Sequence, residues 1–417
     1  ENGYSSTMDS PDQGANGIPV THTTFENPNI TFALSNLTIE YKGELKDDEI
    51  IGIFKQGGQE FPMNLSREAI EKEVIKRPQE PIKPYPYHSE EVTFKNTKAN
   101  ITLSGTLTLP KNGGNFPVVI LISGSGPQNR DEELLGHKPF LVISDYLTKN
   151  GIGVLRYDDR GVGKSTGDFE TATSADFATD VESAITYLKT RKEVNTNKIG
   201  LVGHSEGGLI APMVASKSKD VSFIVLLAGP GISGYDIILL QTELINKANG
   251  TDASKLEKEL AFLRGSLDMV VKGNDLDKIK TRLIDSIQKQ IIEQPELVTE
   301  GMKAQDVKKF VETFTTPWFH YFLKFNPSAV LVNVKCPVLA INGEKDLQVP
   351  PKENLTAIEN ALIKGGNNNI TIKEFPNLNH LFQEAKTGSP TEYATIEQTF
   401  SPDALQEITN WIKTQTK

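Results

Sequence analysis

The stretch Lys198-Ile199-Gly200-Leu201-Val202-Gly203-His204-Ser205-Glu206-Gly207-Gly208-Leu209-Ile210-Ala211-Pro212-Met213-Val214-Ala215 decides how the rest of the chain is read. Lys198 to Val202 read as a short buried strand, and Leu209 to Ala215 as a helix. Between them stands Gly203-His204-Ser205-Glu206-Gly207, a G-x-S-x-G string. A strand that passes through a tight turn directly into a helix leaves a serine hydroxyl exposed on a strained backbone, and the glycines relieve the crowding around it. The string alone is weak, since the chain holds a second copy, Gly163-Lys164-Ser165-Thr166-Gly167. That copy follows its strand only after Asp159-Arg160-Gly161-Val162 and has no helix directly behind it. Ser205 is the candidate nucleophile and Ser165 is not. Nor is Gly163-Lys164-Ser165 the end of a phosphate-binding loop, because Asp158 stands where the first glycine must be.

Around this stretch, strands alternate with helices from about residue 90 onward, the pattern of a mainly parallel α/β sheet of eight strands. Strands are expected at Glu91–Asn96, Ile101–Leu109, Val118–Ser123, Gly153–Asp158, Lys198–Val202, Phe223–Ala228, Val338–Asn342 and Ile370–Phe375. Helices are expected near 137–150, 176–192, 206–217, 351–363 and 402–414. The core is thus 91–234 with 326–417. Residues 235–325 break the alternation with helical periodicity, Leu256, Leu260, Leu263 and Leu267, then Ile279, Leu283, Ile287 and Ile291. An insertion at this point can carry a helical cap over the carboxyl edge of the sheet. Residues 1–76 read as a small β-rich domain, with strands at Ile30–Leu34, Leu37–Tyr41 and Ile50–Gln56 and a turn at Gly57-Gly58. It begins abruptly around Ser10-Pro11-Asp12-Gln13 and is read as incomplete at its start. Residues 77–90, with Pro78, Pro81, Pro84 and Pro86, are expected to be a stiff, extended linker.

A serine hydroxyl is a poor nucleophile until a histidine takes its proton, and an acid must fix that histidine's tautomer. In a sheet of this kind the chain order is serine, acid, histidine. After the seventh strand, Gly343-Glu344-Lys345-Asp346-Leu347-Gln348-Val349-Pro350 offers two acids. The spacing places Asp346 one turn beyond the strand end and favours it over Glu344. His380 is the only histidine beyond residue 320 and becomes the base. The developing oxyanion needs backbone donors. These are expected from Glu206 N–H and from Ser125 N–H in Ser123-Gly124-Ser125-Gly126-Pro127, with Gly124 the runner-up and a pocket residue. The Glu206 side chain is placed beside the pocket mouth. Arg130, Asp131, Glu132 and Glu133, and Asp158, Asp159 and Arg160, are read as salt-bridged scaffolding between loops. Trp318, in Pro317-Trp318-Phe319-His320-Tyr321-Phe322, is the first candidate for the pocket wall from the cap.

With these motifs in place, the chain resembles bacterial α/β-hydrolase esterases related to the serine aminopeptidase S33 branch. The matching strings are Leu121–Asp131, Tyr157–Ser165, Gly203–Gly208 and Leu339–Asp346, in order, over about residues 80–417. The resemblance implies a hydrolase sheet with a helical cap, hydrolysis of short-chain esters without a cofactor, and a triad of Ser205, Asp346 and His380. Many relatives have histidine where this chain has Ser123, which puts any side-chain role there in question. The N-terminal part is similar to the small β-domain of secreted members.

Composition sets the outer bounds. The 417 residues exceed one compact domain. A net charge of −10, with acidic and basic residues mixed along the chain, argues against nucleic acid as a partner, and no apolar run is long enough for a transmembrane segment. Cys336 is the single cysteine and reads as a structural thiol; no histidine or cysteine cluster has metal-ligand spacing, so no metal is implied. The chain starts at Glu1 without a signal peptide, which fits a processed or truncated chain, and a secreted or periplasmic location is expected. A small-molecule ester is the expected partner, and the sequence leaves the oligomeric state open. Two other readings stand beside the esterase: an aminopeptidase-type serine peptidase, and a non-catalytic binding protein on a hydrolase scaffold.

Overall fold

A computed structural model describes residues 4–10, 15–34, 39–56, 59–67, 76–293 and 304–417. The chain divides into two compact units, the first ending at Ile75 and the second beginning at Lys76.

The first unit holds two antiparallel sheets. Strands β1 (Thr7–Ser10) and β2 (Ala15–Pro19) pair with each other. Strands β3 (His22–Glu26), β4 (Asn29–Leu34), β5 (Ile39–Lys46), β6 (Glu49–Gln56) and β7 (Gln59–Leu65) follow one another as a five-stranded meander. The sequence reading found β4, β5 and β6 and missed the strands on either side. Leu37 and the Gly57-Gly58 turn lie outside the described residues.

The second unit is built on an eight-stranded sheet. Its strands are β8 (His88–Asn96), β9 (Ile101–Leu109), β10 (Phe116–Ile122), β11 (Gly153–Tyr157), β12 (Val194–His204), β13 (Phe223–Leu227), β14 (Val338–Gly343) and β15 (Ile370–Phe375). They lie in the order β15-β14-β13-β12-β10-β11-β9-β8. The six strands from β10 to β15 are mutually parallel, while β9 is antiparallel to both of its neighbours. Buried Val, Ile and Leu fill both faces of the central strands, as a sheet covered on two sides requires. One face packs on α2 (Ser174–Leu188), α3 (Glu206–Ala215) and α10 (Pro351–Lys364), through residues such as Val181, Ile210 and Ile358. The other packs on α1 (Pro139–Lys149) and α11 (Pro402–Gln415), through Phe140, Leu147, Ile408 and Trp411.

Between β13 and β14 the chain forms α4 (Gly234–Ala248), α5 (Ala253–Lys272), α6 (Leu276–Glu293), α7 (Ala304–Phe314), α8 (Pro317–Lys324) and α9 (Pro327–Leu331). The periodic residues hold it together: Leu256, Leu263, Leu267, Ile279, Leu283 and Ile287 are all buried. Leu260 is only partly covered, and the Ile291 side chain lies outside the described ones.

The expected linker behaves differently. Arg77 donates to the carbonyls of Ile396 at 2.5 Å and Ala394 at 2.9 Å, and Gln79 donates to Phe400 O at 2.6 Å and accepts from Thr399 N–H at 2.7 Å. These long polar side chains find unpaired backbone groups on the far end of the chain. The start of 77–90 is therefore strapped to the second unit rather than spanning free solvent.

Candidate active site

Ser205 stands alone between β12 and α3 with φ 51° and ψ −117°, a conformation few non-glycine residues adopt. Its neighbours explain how the turn closes. A Cβ on Gly203 would run into the Gly207 carbonyl, and a Cβ on Gly207 would run into the carbonyl of Ile122. Ser205 N–H donates to Leu227 O at 2.9 Å, and Gly208 N–H donates to Ser205 O at 2.8 Å, so the strained residue is pinned from both sides. Ser165 is placed otherwise. It is buried, donates to Asp158 O at 2.7 Å and accepts from Ser104 N–H at 2.9 Å, which makes it a loop brace.

Asp346 and His380 come together across the loops that follow β14 and β15. His380 Nδ1 lies 2.8 Å from Asp346 Oδ2. Asp346 Oδ1 accepts the N–H groups of Gln348 and Val349, each at 2.8 Å, which fixes the orientation of the carboxylate. The carboxylate is 1% exposed. Glu344 faces elsewhere and accepts from Asn377 N–H at 2.9 Å, shaping the loop before His380.

The loop after β10 supplies the second wall. Gly124 comes so close that a Cβ on it would sit 3.2 Å from that of Ser205. Its N–H is taken, donating to Glu132 Oε1 at 2.7 Å. Ser125 accepts at its carbonyl from Gln128, and among the described residues nothing consumes its N–H or that of Glu206. The Glu206 N–H opens α3, where the helix dipole favours negative charge.

The Glu206 side chain is not at a pocket mouth. It is 4% exposed, and its Oε1 accepts from Ser174 Oγ at 2.5 Å and from Trp318 Nε1 at 2.7 Å. The carboxyl turns inward to the first turn of α2 and to the insertion. Burial raises its pKa above the ordinary 4.5, and the two hydrogen bonds only partly offset that. Trp318 also stacks on Phe322, with ring centres 5.2 Å apart, so its indole is fixed at both edges.

The charged clusters brace loops as expected. Arg130 chelates Asp158 at 2.8 and 3.0 Å and reaches Glu91 at 2.7 Å; Arg156 pairs with Asp131; Arg160 pairs with Asp180 at 2.8 Å. Ser123 acquires a role here, donating to Asp159 Oδ1 at 2.8 Å. Burial drives Asp159 well above its ordinary pKa, and Glu206 and Asp180 nearby add to the rise. One member departs from the bracing. Glu132, at φ 51° and 5% exposed, turns inward and meets His204 Nδ1 at 3.0 Å. His204 Nε2 lies 3.0 Å from the His380 carbonyl oxygen. In the sequence, His204 occupies a free position of the G-x-S-x-G motif. Its only signal was a histidine next to the serine with an acid in the facing loop.

An open groove of about 600 Å³ runs beside the Asp346 loop, with Leu244, Leu347, Leu355 and Ile372 among its walls. Neither Ser205 nor His380 lines it. Among the described residues no three His, Cys, Asp or Glu are grouped as metal ligands, and no helix is long and apolar enough to cross a membrane. Burial pushes the Cys336 thiol up to about 12, the behaviour of an inert thiol.

Ser205, Asp346 and His380 thus leave the carboxyl ends of three parallel strands, in the chain order and strand order of an α/β-hydrolase. The model of the family described as serine aminopeptidase, S33, matches residues 140–385, and the chain belongs to that family. Esterase EstD of Thermotoga maritima is 27% identical over 311 residues, 74% of this chain and 65% of that protein. An acyl transferase of Photobacterium leiognathi is 31% identical over 123 residues, 29% of this chain and 36% of that protein. The chain thus spans less than two thirds of the length of these curated relatives. Among solved structures, the Pyrococcus furiosus esterase PF2001 is similar at 17% identity and a TM-score of 0.46, covering 79% of this chain and 91% of that one.

Proposed function

We propose that the protein is a serine esterase that cleaves small, short-chain acyl esters through an acyl-enzyme. The observation that carries the proposal is a strained, partly buried serine at the end of β12, with unconsumed N–H donors near it, on the same sheet edge as a buried Asp346–His380 pair. In the first half-reaction Ser205 Oγ attacks the ester carbonyl as His380 Nε2 takes its proton. Asp346 holds Nδ1–H and stabilises the imidazolium that forms. The oxyanion is met by the N–H groups of Ser125 and Glu206. Collapse expels the alcohol, which takes the proton from His380, and Ser205 keeps the acyl group. Water then repeats the sequence, releasing the acid and restoring Ser205.

The helical insertion serves as the cap in this reading, with Trp318 as the pocket wall. A wall fixed by Glu206 and Phe322 limits acyl length by volume, so the preference is graded rather than absolute, at about 1–3 kcal/mol per methylene. A panel of chromogenic esters of increasing acyl length tests this. Turnover should be fastest with the shortest acyl chains and decline steadily beyond them.

The family description and the shared triad keep a peptidase as the second reading. A peptidase must meet its substrate's ammonium with a free carboxylate. Glu206, the acid nearest the nucleophile in sequence, is enclosed and already accepts two hydrogen bonds, which weighs toward the ester. Faster turnover of an aminoacyl anilide than of an acetate ester would reverse the order.

A further inference from the structure

His204 sits between a carboxyl oxygen and a backbone carbonyl oxygen, and with the carboxyl ionised both groups can only accept hydrogen bonds. Nδ1 is 3.0 Å from Glu132 Oε1, an oxygen that also receives the Gly124 N–H at 2.7 Å. Nε2 is 3.0 Å from a backbone carbonyl oxygen, that of His380. A neutral imidazole carries one N–H and cannot serve both; an imidazolium carries two and can. The ring is buried, and its centre lies 4.9 Å from that of His380. The titratable groups facing it are Glu132 from the loop after β10, Asp346 from the loop after β14 and His380 from the loop after β15.

We propose that His204 is an imidazolium through neutral pH. Paired with Glu132, it is a positioning residue that ties the oxyanion loop to the His380 loop and holds a positive charge beside the base. This rests on the reading of His380 as the base. The Glu132 carboxylate fixes Gly124, and with it the loop that presents Ser125 N–H. The same carboxylate holds the His204 ring, whose other nitrogen holds the His380 backbone. One buried ion pair thereby sets the distance between the oxyanion donors and the base. Burial works against a charge on His204, but Glu132, then the His380 carbonyl and Asp346, raise its pKa above the ordinary 6.5. The strained backbone of Glu132 fits this role, since strain persists where surrounding contacts over-determine a conformation.

The direct test is nitrogen NMR of the wild-type protein labelled with 15N-histidine, with His204 assigned by the signals that change in Glu132→Gln and vanish in His204→Gln. Both ring nitrogens of His204 should remain protonated at about pH 7, where an unperturbed histidine is mostly neutral with one bare nitrogen. A bare nitrogen on His204 at that pH overturns the proposal. The kinetic test uses the same two variants. Gln at 132 keeps an oxygen for Gly124 N–H but removes the charge that sustains the imidazolium. In both, kcat should fall roughly 10–100-fold with little change in KM, as expected when a group that positions the base and the oxyanion donors is lost. Variants that fold and keep the wild-type kcat, or lose activity through KM alone, contradict it. Labelling of the wild type with a fluorophosphonate separates the two levels. An adduct away from Ser205 removes the esterase assignment, whereas the nitrogen signals decide the state of His204 in either case.

Discussion

At the scale of single residues, the most informative comparisons are between side chains that share a loop but not a task. Asp346→Asn should lower kcat by about 10³–10⁴-fold, because the amide cannot hold the histidine tautomer or stabilise its charge. Glu344→Gln, which still accepts from Asn377, should cost less than tenfold. The reverse ranking in steady-state kinetics would mean that the acid is misassigned. Glu206 gives a separate prediction about stability. Its pKa is raised, so the folded chain favours the protonated carboxyl, and stability declines as pH rises from 4.5 through the raised value. Glu206→Gln keeps an oxygen for Ser174 and Trp318 without a charge to bury. Its melting temperature should exceed the wild type's at neutral pH, and the gap should close toward pH 4. A constant gap at all pH values would contradict the burial argument.

At the scale of elements, Trp318 of the insertion donates to Glu206 at the start of α3 and stacks on Phe322 of its own helix. Trp318→Ala removes both and should cost about 2–4 kcal/mol in thermal or chemical unfolding. In the esterase reading it should also shift the acyl-length optimum toward longer chains. Lost stability with an unchanged profile would make Trp318 a packing residue only. The parts of these elements that were legible in the sequence were those with a strong local signal. Ile101–Leu109 and Ile370–Phe375 matched residue for residue, since a polar or glycine turn bounds each apolar run. The strand before Ser205 was read from Lys198 but begins at Val194, because Asn195, Thr196 and Asn197 lack the apolar signature and are recruited by the sheet. The outer β-strands of the first unit were missed for the same reason. The His204–Glu132 contact had no local signal at all, since the partners are 72 residues apart and meet only once β10 and β12 pair.

At the scale of the whole chain, the second unit contains its own two apolar cores, all of whose residues lie beyond position 90. A chain beginning at Lys76 should therefore fold and keep the ester activity proposed above. Arg77 and Gln79 belong to that unit through their bonds to residues 394–400, so a chain beginning at Pro81 should melt well below one beginning at Lys76. The difference should be about 2–4 kcal/mol, the worth of a few buried hydrogen bonds. Equal melting of the two would return residues 77–80 to the status of a linker. The proline content of 77–90 announced stiffness in the sequence; it could not announce that the segment is held by backbone groups 319 and 321 residues away.

The central claim is that Ser205 is the activated nucleophile, and mapping a fluorophosphonate adduct tests it most directly. The reagent reacts at neutral pH only with a serine whose proton has somewhere to go. Mass spectrometry of the digested protein should place the adduct on Ser205, and Ser205→Ala should abolish both labelling and turnover by several orders of magnitude. Ser165→Ala should label normally and lose only the stability of two buried hydrogen bonds. An adduct on Ser165, or full turnover in Ser205→Ala, would contradict the account.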